Sequence, residues 1–447
     1  MKRISLLCML IILSSCGKSV SEIFSAPKTQ DTAGLIASCT TKAQAVSLSE
    51  THGLSYRVIN EKRGLVEYYG VSQKDLALLL PKSKIRKNIV YERQLISSDT
   101  VTALNIGDVQ FYGPHNPEYR NSSAGRYFPH LEQISGLVLS GNQGAGVTIA
   151  IIDTGVYYNH PHLSPNIATN EQDKHGDNGN SQDDDNNGYT DDYTGWDFYN
   201  GDAYPIDDNG HGTHVAGLAA GTFGGVAPKA KILPVKVLSG GGRGDLATIA
   251  AGILYAIDMG ADIINLSLGG PGAGSAGSDL QSLLSSVSFA RDEGALIIAA
   301  AGNGGDDGVG DCNDQNPIYP ANIDSDNIIS VASVDEFNKI TSYSNFGRET
   351  VDVAAPGGSS TNGGLLSTGI PFCNGPCAQS AQTYANSTGT SMATPVVSGL
   401  AALIISNNQS LDHIDVRNII TSRGTTFNEL ESYVKSGQVI NVENSLN

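Results

Sequence analysis

The chain has 447 residues, 40% of them hydrophobic and 16% charged, so it can bury a large core and is neither disordered nor fibrous. Its 52 glycines against 6% aromatic residues describe a loop-rich globular protein. The net charge of −18 argues against a nucleic-acid partner and fits a soluble exported protein.

Lys2-Arg3 followed by a mostly apolar stretch, residues 4–13, has the form of an export signal and is too short for an ordinary membrane span. Leu13-Ser14-Ser15-Cys16 resembles a bacterial lipobox, in which the cysteine is diacylated and becomes the first mature residue. The expectation is a signal peptide over residues 1–15, lipidation at Cys16, and a polar tether over residues 16–34. Gly17 does not resemble an inner-membrane retention signal, which favours the outer membrane, periplasm or cell surface.

Residues 35–95 read as a small α+β module. Strands are expected at 35–37, 54–59, 65–69 and 85–95, with helices at 41–50 and 72–80, giving the split βαββαβ order. Between Lys42 and Arg93 this module has ten Lys/Arg against five acidic residues, a net of +5, so the remainder carries −23. Opposite charge suggests that the two parts dock. Residues 96–143, with Pro114, Pro117 and Pro129, read as an irregular linker containing a maturation site.

From residue 144 onward the pattern changes. Val147-Thr148-Ile149-Ala150-Ile151-Ile152-Asp153 is a nearly unbroken β-branched run, as expected for a strand buried on both faces of a parallel sheet. Similar runs occur at 232–237, 263–268, 296–301 and 328–332, and helical patterns at 246–259 and 280–293 separate some of them. This alternation predicts an α/β domain over residues 144–447, whose functional groups gather at the carboxyl ends of the strands.

Those ends carry suggestive residues. Asp153-Thr154-Gly155 closes the first run, and Ala301-Gly302-Asn303-Gly304 closes another. His211-Gly212-Thr213-His214-Val215-Ala216-Gly217 opens an Ala/Gly-rich helix. Gly389-Thr390-Ser391-Met392-Ala393-Thr394-Pro395 leads into an apolar helix expected to begin near Thr394 or Pro395. A serine, an imidazole, a carboxylate and an amide donor form a complete set for acyl transfer.

With these motifs in the order Asp, His, Ser, the chain resembles the subtilisin-like serine proteases, the subtilases, from residue 144 to the C-terminus. The resemblance implies a three-layer α/β catalytic domain with a mostly parallel sheet, and a serine endopeptidase that needs no cofactor for catalysis. It implies that Ser391 is the nucleophile, His211 the general base, Asp153 the orienting acid and Asn303 an oxyanion-hole donor. His214, one turn beyond His211, is expected to pack or cap. Substrate would lie extended between Gly242-Arg243-Gly244 and Ser267-Leu268-Gly269, and the basic module resembles the family's inhibitory propeptide. The primary specificity pocket would be floored by the segment 304–319, where Asp306, Asp307, Asp311 or Asp314 could favour a basic side chain.

Asp183-Asp184-Asp185-Asn186-Asn187-Gly188-Tyr189-Thr190-Asp191 fits D-x-D-x-N-G-x-x-D, whose alternating oxygens and turn glycine suit Ca²⁺. The expected ligands are Asp183, Asp185, Asn187, Tyr189 and Asp191; position 12 is Thr194 rather than Glu, so this is not an EF-hand. Cys373 and Cys377 could close a small disulfide, with a bridge from Cys312 to either as the rival, and Cys39 remains. An inactive peptide-binding relative and an α/β-hydrolase esterase are the competing readings. The esterase requires a Gly-x-Ser-x-Gly elbow and the order Ser, acid, His, which the chain lacks.

Overall fold

The computed structural model describes residues 35–37, 42–52, 54–60, 65–69, 76, 79, 85–87, 90–93, 128–136, 141–173, 179–271, 281–359, 364–371 and 383–447. The signal and tether, Cys39, Cys373 and Cys377 lie outside these residues. The described residues fall into two compact units, one up to residue 87 and one from residue 90 onward.

In the smaller unit, β1 (Leu35–Ala37), α1 (Lys42–His52), β2 (Ser55–Asn60), β3 (Leu65–Tyr69) and β4 (Ile85–Lys87) follow in sequence. The strands form an antiparallel sheet of order β2-β3-β1-β4. Ala45 and Leu48 of α1 are buried, as are Leu54, Leu76 and Leu79. The strand expected over residues 85–95 is divided, because β5 (Val90–Arg93) belongs to the larger unit.

The larger unit continues with α2 (Pro129–Gln133), β6 (Thr148–Asp153), β7 (Trp196–Asp197), α3 (His211–Ala220), β8 (Lys231–Lys236), β9 (Arg243–Asp245) and α4 (Leu246–Asp258). Next come β10 (Ile263–Leu266), β11 (Leu268–Pro271), α5 (Gln281–Asp292), β12 (Leu296–Ala300), β13 (Ile318–Tyr319), β14 (Ile328–Val334) and β15 (Val353–Pro356). The hairpin β16 (Leu365–Thr368) and β17 (Tyr384–Ser387) precedes α6 (Thr390–Asn407), α7 (His413–Ser422), β18 (Thr425–Thr426), β19 (Gln438–Val439) and α8 (Val442–Leu446). Nine strands form one sheet, β18-β19-β15-β14-β12-β10-β6-β8-β7. All its pairings are parallel except β18 with β19.

The period of two along each strand separates the layers. Ile149 and Ile151 join a core formed with Val215 of α3 and Val396, Val397 and Leu400 of α6. Ile152 faces the other way, where a Cβ on Gly252 of α4 would lie 3.3 Å from its Cγ2. Helices therefore cover both faces of the sheet, as predicted. By length and composition α6 could cross a membrane, but 89% of it is buried within the fold, so its apolar character serves the core.

Two expectations are corrected. Residues 96–143 are not all linker: Phe128, Leu131 and Ile134 belong to the core of the larger unit. His130 Nε2 lies 3.0 Å from the Gly224 carbonyl, and Val442 N–H donates to the Ile134 carbonyl at 2.8 Å. Pro129, read as a sign of irregular chain, sits in the first turn of α2, where no N–H is required. The second correction is that α6 begins at Thr390, before Thr394 and Pro395, which both lie inside it. Pro395 cannot donate to the Ser391 carbonyl four residues earlier. That carbonyl accepts instead from Ser267 Oγ at 2.9 Å, and the helix continues through the proline.

Candidate active site

Asp153 ends β6, and its Oδ1 accepts from His211 Nδ1 and from Thr154 N–H, each at 2.7 Å. Both the Asp153 and His211 side chains are fully buried. With Nδ1 donating to the carboxylate, the lone pair of the neutral imidazole is on Nε2, which is buried without a hydrogen-bond partner. His211 is the first residue of α3, after Gly210 at φ 101°. Gly212 allows this approach: a Cβ there would lie 2.1 Å from the Gly155 carbonyl oxygen.

Asp207, which the sequence analysis did not single out, holds this corner together. Its Oδ1 accepts from Asn209 N–H, Gly210 N–H and Thr154 Oγ1, all at 2.9 Å. Its Oδ2 accepts from the N–H of Thr213 at 2.9 Å and from its hydroxyl at 2.6 Å. Thr154 Oγ1 in turn accepts from Gly212 N–H at 3.0 Å, so one carboxylate joins the end of β6 to the first turn of α3. Burial raises the Asp207 pKa, and these hydrogen bonds oppose the rise. An acid just before an uncapped helix was the available signal. His214 packs as expected: its Nε2 lies 3.0 Å from the Leu365 carbonyl and 3.1 Å from that of Ala385, and burial lowers its pKa to about 4.

Ser391 is the second residue of α6, where the helix itself supplies no acceptor for the backbone N–H. Its Oγ donates to the Ser267 carbonyl at 3.0 Å. Asn303 follows β12 after Gly302 at φ 114°. Its Oδ1 accepts from Thr390 N–H at 2.9 Å and from Thr390 Oγ1 at 3.0 Å. These two donors set the orientation of the amide. They leave Nδ2 buried and without a hydrogen-bond partner, as a donor beside the start of α6.

The two predicted substrate strands border a third. β5 pairs antiparallel with β11, Leu268 opposite Arg93 and Gly269 opposite Glu92. On its other edge it pairs with β9, Gly244 opposite Tyr91 and Arg243 opposite Glu92. Gly242 forms the preceding turn at φ 73°, donating from its N–H to the Ser239 carbonyl at 2.8 Å. Ser267 precedes β11 and meets Ser391. Gly244 must be small, since a Cβ there would lie 2.5 Å from the Val237 carbonyl oxygen.

The acids expected beneath the specificity pocket are placed otherwise. Asp307, Asp311 and Asp314 are exposed, and the Asp306 side chain lies outside the description. Asp307 accepts from Val309 N–H at 2.9 Å, while Asp314 accepts from the N–H groups of Arg348, Glu349 and Thr350 at 2.9–3.3 Å. Exposed backbone caps do not form a charged pocket floor. Cys312 is half-buried and has no disulfide partner among the described residues.

Of the acidic residues among the predicted calcium ligands, Asp183 and Asp185 share a carboxylate cluster and Asp191 lies outside it. Asp191 accepts from Asn180 N–H at 2.8 Å and Ser181 N–H at 2.9 Å, while the Tyr189 ring stacks among Trp196, Phe198 and Tyr255. Asn187 uses its Nδ2 to donate to Asp185 at 3.1 Å and to Asp192 at 2.9 Å. Asp183 and Asp185 are instead joined by Asp173, from outside the motif, and their oxygens lie within 4.8 Å of one another.

Comparison with known proteins agrees with this architecture. The Subtilase family profile matches residues 144–435. Thermitase from Thermoactinomyces vulgaris is 38% identical over 278 residues, 61% of this chain and 79% of that protein. Subtilisin DY from Bacillus licheniformis is 36% identical over 309 residues, 68% of this chain and 92% of that protein. The crystal structure of a cold adapted subtilisin-like serine proteinase superposes with a TM-score of 0.52 at 28% identity, over 68% of this chain and 91% of that one. The chain belongs to the subtilase family, and it is a serine endopeptidase.

Proposed function

We propose that peptide bonds are cut through an acyl-enzyme at Ser391. His211 Nε2 takes the Ser391 proton as Oγ attacks the scissile carbonyl, then delivers it to the departing amine. Asp153 holds Nδ1–H and offsets the charge that the imidazole gains. The oxyanion forms between Asn303 Nδ2 and the Ser391 N–H. Water then enters by the same base and releases the acyl group. The observation that carries this reading is Asn303 Nδ2, a buried donor without a hydrogen-bond partner on an amide that Thr390 fixes at the start of the helix bearing Ser391. Buried polar groups are rarely left unpaired without a task.

The substrate is an extended peptide added as a strand between β9 and β11. The chain's own β5 lies in that place, which supports residues 35–95 acting as an intramolecular inhibitor. β5 ends with Arg93 opposite Leu268, next to Ser267 in the chain, so the first self-cleavage is expected shortly after residue 93, just before the expected interval 96–143. Exported and anchored through Cys16, the enzyme would separate from its anchor on this cut unless the inhibitor stays docked. Ser391→Ala abolishes both peptide hydrolysis and labelling by a fluorophosphonate. Persistent labelling overturns the assignment, and a folded wild-type protein that binds peptides without cutting them supports the inactive relative instead.

A further inference from the structure

We propose that Lys236 is a positioning residue for the Asp153–His211 pair, its ammonium clamping the chain that follows Asp153 and adding a fixed positive charge at the end of β6. This rests on the reading of Asp153 and His211 as orienting acid and general base. In the parallel pairing of β6 with β8, Lys236 stands opposite Asp153. It is 1% exposed, although lysine is rarely buried in full. Its Nζ donates to the Thr154 carbonyl at 2.6 Å, to Asp208 Oδ1 at 2.7 Å and to the Leu238 carbonyl at 2.9 Å, which uses all three ammonium protons.

Those acceptors surround the acid. Thr154 N–H is bound by Asp153 Oδ1 and its hydroxyl by Asp207, so the lysine fixes the one remaining polar group of Thr154, its carbonyl. Leu238 is held from both sides, its N–H donating to the Asp153 carbonyl at 3.1 Å while its own carbonyl accepts from Lys236. Asp208 lies three residues before His211, and its side chain is 56% exposed, so water screens its pairing with the buried ammonium. A neutral donor would satisfy Thr154 and Leu238 without the cost of burying a charge. What the charge adds is a cation fixed opposite a fully buried carboxylate whose Oδ2 has no hydrogen-bond partner. Its field also reaches β7: burial raises the Asp197 pKa, and the Asn200 hydrogen bonds and the Lys236 charge oppose the rise. Among the elements packed on α3, the titratable groups are Asp153 of β6, Lys231 and Lys236 of β8 and Tyr384 of β17, while α6 and β16 have none. Tyr157, whose N–H meets Thr213, and Asp207, Asp208 and His214 complete the surroundings of His211.

The test measures kcat and KM of the active protein and its variants on one peptide substrate across pH, where the acid limb of kcat/KM reports the base of the free enzyme. Lys236→Met lowers the plateau kcat at least about tenfold and changes KM less than about threefold, as displacement of a catalytic pair requires. It also moves the acid limb up by about half a pH unit or more, because one cation near the imidazole is gone. Asp208→Asn leaves the ammonium less compensated and moves the limb down by about 0.2–0.5 pH unit. Lys236→Met/Asp208→Asn removes one charge of each sign, so the limb returns towards its wild-type position while kcat stays low. A packing defect lowers kcat without these opposite shifts. Should Lys236→Met fail to fold, Asp208→Asn still decides, since a limb that stays or rises in that variant overturns the proposal. An unmoved or lowered limb in Lys236→Met overturns it equally. His211→Ala is run alongside. Hydrolysis that survives this change overturns the triad reading and the proposal together; hydrolysis lost, with unmoved limbs in the other variants, overturns the proposal alone.

Discussion

Ser267 and Ser391 are bonded to each other twice. Ser267 Oγ donates to the Ser391 carbonyl at 2.9 Å, and Ser391 Oγ donates to the Ser267 carbonyl at 3.0 Å. The first bond exists because Pro395 lacks the N–H that a helix would supply there. Asn265 Nδ2 donates to Ser267 Oγ at 2.9 Å, and Ser398 Oγ donates to Asn265 Oδ1 at 2.9 Å, so the pair is held from inside the core. The proposed nucleophile is thereby tied to the segment that leads into β11.

Removing Ser267 Oγ should cost stability as well as rate. Ser267→Ala orphans the Ser391 carbonyl and one Asn265 donor, and the expected loss is about 1–3 kcal/mol in chemical denaturation of the Ser391→Ala protein. Pro395→Ala returns an N–H to the helix. The double variant Ser267→Ala/Pro395→Ala should then lose at least about 1 kcal/mol less than the sum of the two single changes. Strict additivity would show that the proline does not create the need for Ser267.

The oxyanion amide is predicted to depend on Thr390. Asn303→Ala should lower kcat by about 10²–10³ with little change in KM, a magnitude taken from a subtilisin oxyanion-hole amide. Thr390→Val, which keeps the N–H but loses the hydroxyl donor to Asn303 Oδ1, should lower kcat by roughly tenfold, while Thr390→Ser restores it. Steady-state kinetics on a peptide substrate distinguish this from a packing defect, which Thr390→Ser would not repair.

Acid should destabilise the fold through histidines that are buried neutral. Burial lowers the pKa of His130, His160 and His214 to about 4, below the ordinary 6.5. The unfolded chain binds these protons first, so the stabilisation is complete above pH 6.5 and is lost as pH falls from 6.5 towards 4. For His130 and His214, both fully enclosed, each contribution is on the order of 3 kcal/mol. Asp207 and Asp352, raised by burial, act with the opposite sign and partly offset the fall. Melting temperatures of the Ser391→Ala protein between pH 8 and 4 should stay level above 7 and then drop, and His130→Gln should flatten the drop.

Maturation should be visible in the termini. Mass spectrometry of wild-type protein should find a new N-terminus shortly after residue 93, whereas Ser391→Ala stays full-length with a lipidated Cys16. Membrane fractionation should then retain Ser391→Ala and release wild type. Full-length, membrane-bound chain in both would rule out release by self-cleavage.

The motif residues were legible because their signals are local. Asp153 stands at the end of a β-branched run, His211 and Ser391 at helix starts, and Asn303 after a strand whose glycine permits φ 114°. The parallel sheet follows from the same runs, since strands that are apolar on both faces need helices over each. Local spacing does not by itself give distance. Asp191 occupies the right place in a motif but clamps Asn180 and Ser181, and the oxygen that meets Asp183 and Asp185 comes from Asp173.

Sequence by itself determined the family and the kind of sheet, and it marked Ser391, His211, Asp153 and Asn303 as the candidate residues. Tertiary structure decided how they are held. Thr390 aims Asn303 from 87 residues away, Ser267 replaces the hydrogen bond that Pro395 cannot make to Ser391, 124 residues distant, and Asp207 joins Thr154 to α3 across 53. Phe128 lies in the core although prolines surround it in sequence, and β5 enters the groove rather than completing the smaller sheet. Each of these depends on which surfaces meet once the helices close over the sheet, and no periodicity along the chain encodes that.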